Sequence, residues 1–309
     1  MRKVIGVGET ILDILFKDGA PYRANPGGSV FNGFVSLRRL GVPGIFISEL
    51  GNDPVGGMIL RFMEENGIPT GYLDRYPDRK SPVSLAFLNE ERQADYVFYN
   101  DYPEQRLAVP LPGIEEDDIL IFGSYYALNP ALREQIVELL DYARERKALI
   151  YYDPNFRKAH AHEAIRLTPT VLDNFGYADI VRGSDEDFFH LFGDTDMGHA
   201  YSEHVQFYCP LFVSTHGAGG ASLFTPAFRE RFESRMLSPV STIGAGDNFN
   251  AGLVYGLLKY GIRRDDLPQL GKEEWGKIIR CGMDLATEVC LSYDNYISKD
   301  FASRYAGQS

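Results

Sequence analysis

The sequence is poor in residues that build covalent or metal frameworks. Its three cysteines, Cys209, Cys281 and Cys290, form no CxxC and cannot all pair, which argues against a disulfide-stapled secreted fold and for structural thiols in a reducing, cytoplasmic compartment. The six histidines are scattered, and the one close pair, His160 and His162, has no third convergent ligand, so it reads as loop residues and not as a metal site. Basic charge is short as well. A formal net charge of −12 excludes nucleic acid and anionic membrane as partners, because both need a basic field, while small anions remain open to local sites. No apolar run reaches the roughly 20 residues of a membrane helix. The N-terminal stretch MRKVIGVGETILDILF is interrupted by Glu9 and Asp13 and lacks the core of a signal peptide. Two phosphate-binding patterns are also missing: there is no GxxxxGK[ST], and no GxGxxG follows a strand and opens a helix.

What is present suits a sizeable core. With 309 residues, 44% of them hydrophobic, the chain is long enough for one large α/β domain or two ordinary ones. Short apolar runs near residues 5, 47, 121, 151, 181 and 214 read as buried parallel strands. Between them lie amphipathic stretches. The clearest spans 131–146, with Leu132, Ile136, Leu139, Leu140 and Ala143 on one face after Asn129-Pro130, and another runs from Asp53-Pro54 to Gly67. The alternation predicts a doubly wound, mostly parallel sheet flanked by helices, with ligands at the carboxyl ends of the strands. Glu9, Asp153, Asn155, Arg157 and Ser184 fall at such ends, Ser184 reading equally as a helix cap.

One segment breaks the alternation. From Pro82, PVSLAFLNEERQADYVFYND has two β-rich runs around the polar turn 89–93 and predicts a hairpin. A decorated edge, a flap over a ligand and a subunit contact through its aromatic residues all suit it.

The stretch PVSTIGAGDNFNAGLVYGLL, residues 239–258, joins a glycine-rich turn to a predicted helix through Asp247. Phe249, Leu253, Val254, Leu257 and Leu258 recur at helical spacing, so the helix starts near Gly244 and buries one face. Free N–H groups and the positive end of the dipole at such a start suit a phosphate, and glycines let it approach. Asp247 reads either as a first-turn cap or as a general base beside a bound phosphate.

The segments NPGGSVFNGFVSLRRLG (25–41) and ELGNDPVGGMILRFMEENGI (49–68) resemble the first signature of the ribokinase-like (PfkB) sugar kinases, and STIGAGDNFNAG resembles their second. DPNFR (153–157), VRGSDED (181–187) and STHGAGGASLF (214–224) fall between them in the family's order, so the resemblance covers almost the whole chain. Within the family, SLAFLNEERQADYVFYN and FGSYYALNP are most similar to fructokinases. The resemblance implies a single kinase domain over 1–309 with a small β lid inserted from about 14–26 and 80–101, a homodimer through that lid being open. It implies ATP with Mg2+ as phosphoryl donor and a small sugar, fructose first, as acceptor. The alternatives are 2-keto-3-deoxygluconate, ribose or a nucleoside, or a sugar or nucleotide sensor without turnover.

The resemblance also assigns residues. Asp247 becomes the base that takes the proton of a primary hydroxyl. The N–H groups of Ala245 and Gly246, with Gly244, become the anion hole, and Arg157 adds charge near the phosphates. Asp13, at the end of the first strand, and Gly27, Gly28 and Asn32 match sugar-binding positions. Thr215, Gly217 and Gly220 match the nucleotide-binding turn, while Ser184 and Asp187 stand where the family has an Asn-x-x-Glu near magnesium and phosphates. Ser241 replaces an acid of the second signature, which leaves potassium dependence open, and Asn100 stands where fructokinases tend to have Arg, which loosens the identity of the sugar.

Overall fold

A computed structural model describes residues 2–88, 94–103, 106–235 and 238–307. In chain order the elements are β1 (Val4–Val7), β2 (Ile11–Lys17), β3 (Ala20–Gly27), α1 (Ser29–Arg39), β4 (Gly44–Gly51), α2 (Pro54–Glu65), β5 (Leu73–Tyr76), β6 (Val83–Leu88), β7 (Ala94–Tyr99), β8 (Ile119–Gly123), α3 (Arg133–Glu145) and β9 (Leu149–Asp153). There follow α4 (Ala164–Tyr177), β10 (Ile180–Ser184), α5 (Asp185–Phe192), α6 (Met197–Ala200), β11 (Phe212–Thr215), β12 (Ala221–Phe224), β13 (Arg229–Phe232), α7 (Ala245–Lys259), α8 (Lys272–Cys290) and α9 (Lys299–Ala306).

The large sheet runs β13-β12-β11-β10-β9-β8-β1-β4-β5. Its pairs from β11 to β5 are parallel, and β12 and β13 join antiparallel at one edge. Strands such as β8 and β9 are buried at every position, which is why they read as continuous apolar runs. Helices cover both faces. Phe31, Phe34, Ile59, Trp275 and Leu285 pack on one face, and Leu139, Leu167, Phe175 and Phe188 on the other, which makes three layers. The chain leaves β1 toward β4 on one side and returns to β8 on the other, so a crevice opens beyond the carboxyl ends of these two strands.

Two expectations change. The first concerns α7, predicted to bury one face: Asp247 through Leu257 are all buried, because α7 is wedged between α1 and α8. Close approach makes this fit. A Cβ on Gly33 of α1 would stand 2.6 Å from the carbonyl oxygen of Asp247, so only glycine lets α1 lie against the start of α7. The second concerns Asp13, which is not at the end of β1 but is the third residue of β2, a strand of a separate four-stranded sheet ordered β3-β2-β6-β7. That sheet begins at Ile11. Its β6–β7 pair is the expected hairpin, antiparallel from Val83↔Tyr99 to Leu88↔Ala94, and the turn 89–93 lies outside the described residues. Among the described residues no helix is long and apolar enough to cross a membrane.

Candidate active site

The small sheet and the crevice of the large sheet enclose one cleft. Asp13, Gly28, Asn32, Arg157, Gly244 and Asp247 all line it. The backbone turns into α7 at Gly244, whose φ of 76° is left-handed, and Asp247 follows in the first turn of the helix. Its side chain does not cap that helix. One carboxylate oxygen accepts from Ser29 Oγ at 3.0 Å and Asn155 Nδ2 at 3.2 Å, and the other from Asn32 Nδ2 at 2.8 Å. Three donors on two other segments thus hold the carboxylate facing the cleft, and the choice between cap and positioned acid falls to the latter. Burial pushes its pKa upward, while the Arg157 charge and the bonds from Asn32 and Ser29 pull it down.

One of the N–H groups expected to face an anion is engaged within the protein. The N–H of Ala245 donates to the Thr242 carbonyl at 3.2 Å. The N–H groups of Gly244, Gly246 and Asp247 have no hydrogen-bond partner among the described residues and stand at the positive end of α7. Arg157 is exposed on the cleft wall, with its guanidinium 5.8 Å from the centre of the Tyr96 ring.

Asp13 accepts from Ser84 Oγ on β6 and from Asn295 Nδ2 at 3.1 Å. Gly27 is required by Asp13 itself, since a Cβ there would stand 2.2 Å from a carboxylate oxygen of Asp13, and Gly27 does not line the cleft. Asn32 lines the same cleft; its Nδ2 donates to Asp247, and its Oδ1 is buried with no partner among the described residues, so the side chain braces the acid and keeps an acceptor unpaired.

Ser184, Asp187, Thr215, Gly217, Gly220, Ala245 and Gly246 stand outside the cleft lining. Ser184 and Asp187 form a capping box at the start of α5. Gly217 and Gly220 take positive φ in the turn between β11 and β12. What ties this group to the cleft is Arg182 on β10, which the sequence reading passed over. Its guanidinium donates to Asp153 at 2.8 Å and to the Thr215 hydroxyl, and a Cβ on Gly246 would stand 3.1 Å from it. A lone cation inside the apolar run ADIVRGS was the signal for it. Ser29, Ser84 and Asn295 carried no comparable signal. His160 is more than a loop residue: its ring stacks on Tyr125 at 4.0 Å between centres, and both line the cleft.

Residues 1–300 match the pfkB family of carbohydrate kinases. The chain belongs to that family. A fructokinase of Rhizobium leguminosarum bv. trifolii is 30% identical over 269 residues, 82% of this chain and 79% of the relative. A fructokinase of Vibrio alginolyticus is 24% identical over 256 residues, 82% of this chain and 83% of the relative. Among solved structures, a double mutant of the Vibrio cholerae O395 fructokinase bound to fructose, ADP and potassium is similar with a TM-score of 0.83 at 22% identity, over 96% of this chain and 94% of that one. The aminoimidazole riboside kinase of Salmonella enterica follows the same fold with a TM-score of 0.80 at 22% identity, over 99% and 100%. Both share the ribokinase-like architecture.

The carboxyl groups of this carbohydrate kinase set a pH dependence. Burial is the largest cause that pushes Asp13 and Asp187 up to about 6 and Glu9 up to about 7, and it pushes Asp247 upward too. The native state therefore holds protons that the unfolded chain has already released. These groups favour folding most below their unfolded values of 3.8 and 4.5, and that contribution is lost as pH rises toward about 6 to 7. A base must be ionised, so activity changes the opposite way. The kcat/KM of an enzyme with a carboxylate base shifted upward should climb with pH, while the urea midpoint does not rise between about pH 5 and 7, as read from a rate profile and unfolding curves at matched pH. A rate that does not climb with pH contradicts a buried carboxylate base.

Proposed function

We propose that the kinase transfers the γ-phosphoryl group of ATP to a primary hydroxyl of a small neutral sugar, fructose first. The observation that carries this reading is the Asp247 carboxylate, held by Ser29, Asn32 and Asn155 at the floor of the cleft and free of any capping duty. Asp247 accepts the hydroxyl proton as the oxygen attacks. The N–H groups of Gly246 and Asp247 and the Arg157 guanidinium balance the charge on the transferring group, which is most of what in-line phosphoryl transfer asks of a protein. Asp13, braced by Ser84 and Asn295, accepts from sugar hydroxyls and orients the ring.

Magnesium supplies charge neutralisation on the phosphates. An ion of this kind would be carried mostly by water and phosphate oxygens, with Asp187 as the nearby acid. On β7, side chains alternate. Tyr96 and Phe98 line the cleft, while Val97 and Tyr99 are exposed where a homodimer would form. A nucleoside acceptor is the second reading, favoured by the stacked His160–Tyr125 pair, which offers a planar wall to a heterocycle.

The test is ADP release with ATP and magnesium across fructose, glucose, ribose, 2-keto-3-deoxygluconate and a purine nucleoside. Fructose should give the highest kcat/KM; no turnover with any of them favours a sensor. Within the active pair, Asp13→Ala should raise KM for the sugar about ten- to a hundredfold, the cost of about 1–3 kcal/mol for an unpaired buried group, with nucleotide affinity within about twofold in calorimetry. Asn32→Ala should instead lower kcat by about tenfold or more, because it loosens Asp247. A loss of nucleotide affinity alone in the Asp13 variant would reverse the two halves of the cleft.

A further inference from the structure

The segment 293–297, between α8 and α9, touches both halves of the cleft. Toward the small sheet, Asn295 Nδ2 donates to a carboxylate oxygen of Asp13 at 3.1 Å, Arg23 pairs with Asp294 at 2.7 Å, and the Tyr293 ring lies against Tyr22 with centres 5.3 Å apart. Toward α7, the Asn248 amide donates to the carbonyls of Asn295 and Gly244, each at 2.8 Å, and so ties the two backbones together. The approach is close: a Cβ on Gly244 would stand 2.6 Å from the Asn295 carbonyl oxygen. The Oδ1 of Asn248 accepts from Ser36 on α1, whose hydroxyl in turn accepts from the Ile297 N–H at 3.1 Å. Asn295 is 5% exposed and does not line the cleft, whereas Asp13 and Gly244 both do.

One residue therefore holds, by its side chain, the acid that orients the acceptor and, by its backbone, the turn that presents the N–H groups of Gly244, Gly246 and Asp247. Ser84 braces Asp13 from β6, but among the described residues it shares no hydrogen bond with that turn. An acceptor that pins Asp13 pins Asn295 with it, and the turn cannot then shift without breaking the Asn248 bonds. Coupling of this kind is reciprocal: the factor by which the acceptor tightens nucleotide binding is the factor by which the nucleotide tightens acceptor binding. We infer that Asn295 is a positioning residue that couples the two half-sites, so that filling the acceptor site orders the turn that receives the γ-phosphoryl group. This rests on the sugar-kinase reading of the same cleft.

The experiment is calorimetry of β,γ-methylene-ATP with magnesium, with and without saturating fructose or whichever acceptor turns over fastest, on wild type, Asn295→Leu and Ser84→Ala. Leu keeps the size of Asn and the backbone carbonyl while withdrawing the donor. The acceptor should tighten analogue binding at least about fivefold in wild type and less than about twofold in Asn295→Leu. Ser84→Ala should raise the acceptor KM about tenfold with kcat within about threefold, and should keep the wild-type factor at saturating acceptor. Asn295→Leu should raise that KM and also lower kcat about tenfold. Asn295→Ser, whose hydroxyl is too short to reach Asp13, serves in its place if Asn295→Leu does not fold. A folded Asn295 variant with the wild-type factor overturns the role of Asn295, as does an equal loss in Ser84→Ala or a wild type that binds acceptor without tightening the analogue. A wild type that binds the analogue but no acceptor overturns the sugar-kinase reading, and this coupling with it.

Discussion

Asp247→Asn should lower kcat by about a hundredfold or more while nucleotide affinity stays within about twofold. The amide matches the carboxylate in shape but cannot take a proton, and general-base catalysis is worth roughly 10²–10⁴. The three donors that hold Asp247 make the substitution a clean one at the backbone. Asn can still accept from Asn32 or Ser29 with its oxygen, so the start of α7 stays in place, and the loss should appear in kcat. Wild-type turnover in a folded Asp247→Asn protein would remove Asp247 as the base.

The second large effect is expected at Arg182. It is 6% exposed and Asp153 is 3% exposed, and the two are joined at 2.8 Å. Asp153 also accepts from Asn250 at 2.6 Å and from the Asn155 N–H at 3.0 Å, so this pair sits between β10 and the segment that carries Asn155 to Asp247. Arg182→Met removes the cation and leaves Asp153 and Asp187 buried without it. Breaking a buried pair from one side costs about 3–5 kcal/mol. Urea unfolding should show a loss of that size, and Asp153→Asn in the same chain should restore a substantial part of it, because the stranded charge is then gone. The rate should fall as well, since the guanidinium lies directly under Gly246 and holds Thr215. A loss below about 1 kcal/mol would mean that the pair is solvated and does not organise the site.

Much of this fold is legible in the chain, for identifiable reasons. The strands are legible because both faces of a central parallel strand are buried, so ILIFG carries no charge and LIYYD carries one only at its last residue, Asp153. Asp247 is legible because the glycine turn and the helix start are contiguous in sequence. The all-round burial of α7 is not. Asn248 and Asn250 look like a solvent face, yet Asn248 donates to the carbonyls of Gly244 and Asn295, and Asn250 donates to Asp153 while accepting from Tyr151. Satisfied polar groups can be buried, and periodicity cannot tell them from exposed ones. The partners of Asp13 were equally hidden. Ser84 and Asn295 come to it from 71 and 282 residues away, through the small sheet and the segment before α9. Arg182 was visible as a cation in an apolar run, but its partners Asp153 and Thr215 come from neighbouring strands that only the sheet order brings together.

The most direct test of the central claim, that Asp247 takes the proton from a sugar hydroxyl during phosphoryl transfer, is phosphorus NMR of the products formed from ATP, magnesium and fructose. The wild-type enzyme should yield one phosphomonoester on a primary hydroxyl of the sugar for each ADP, and Asp247→Asn should form that ester at least about a hundredfold more slowly. ADP appearing with inorganic phosphate and no sugar ester, or an ester formed equally fast by both proteins, would contradict it.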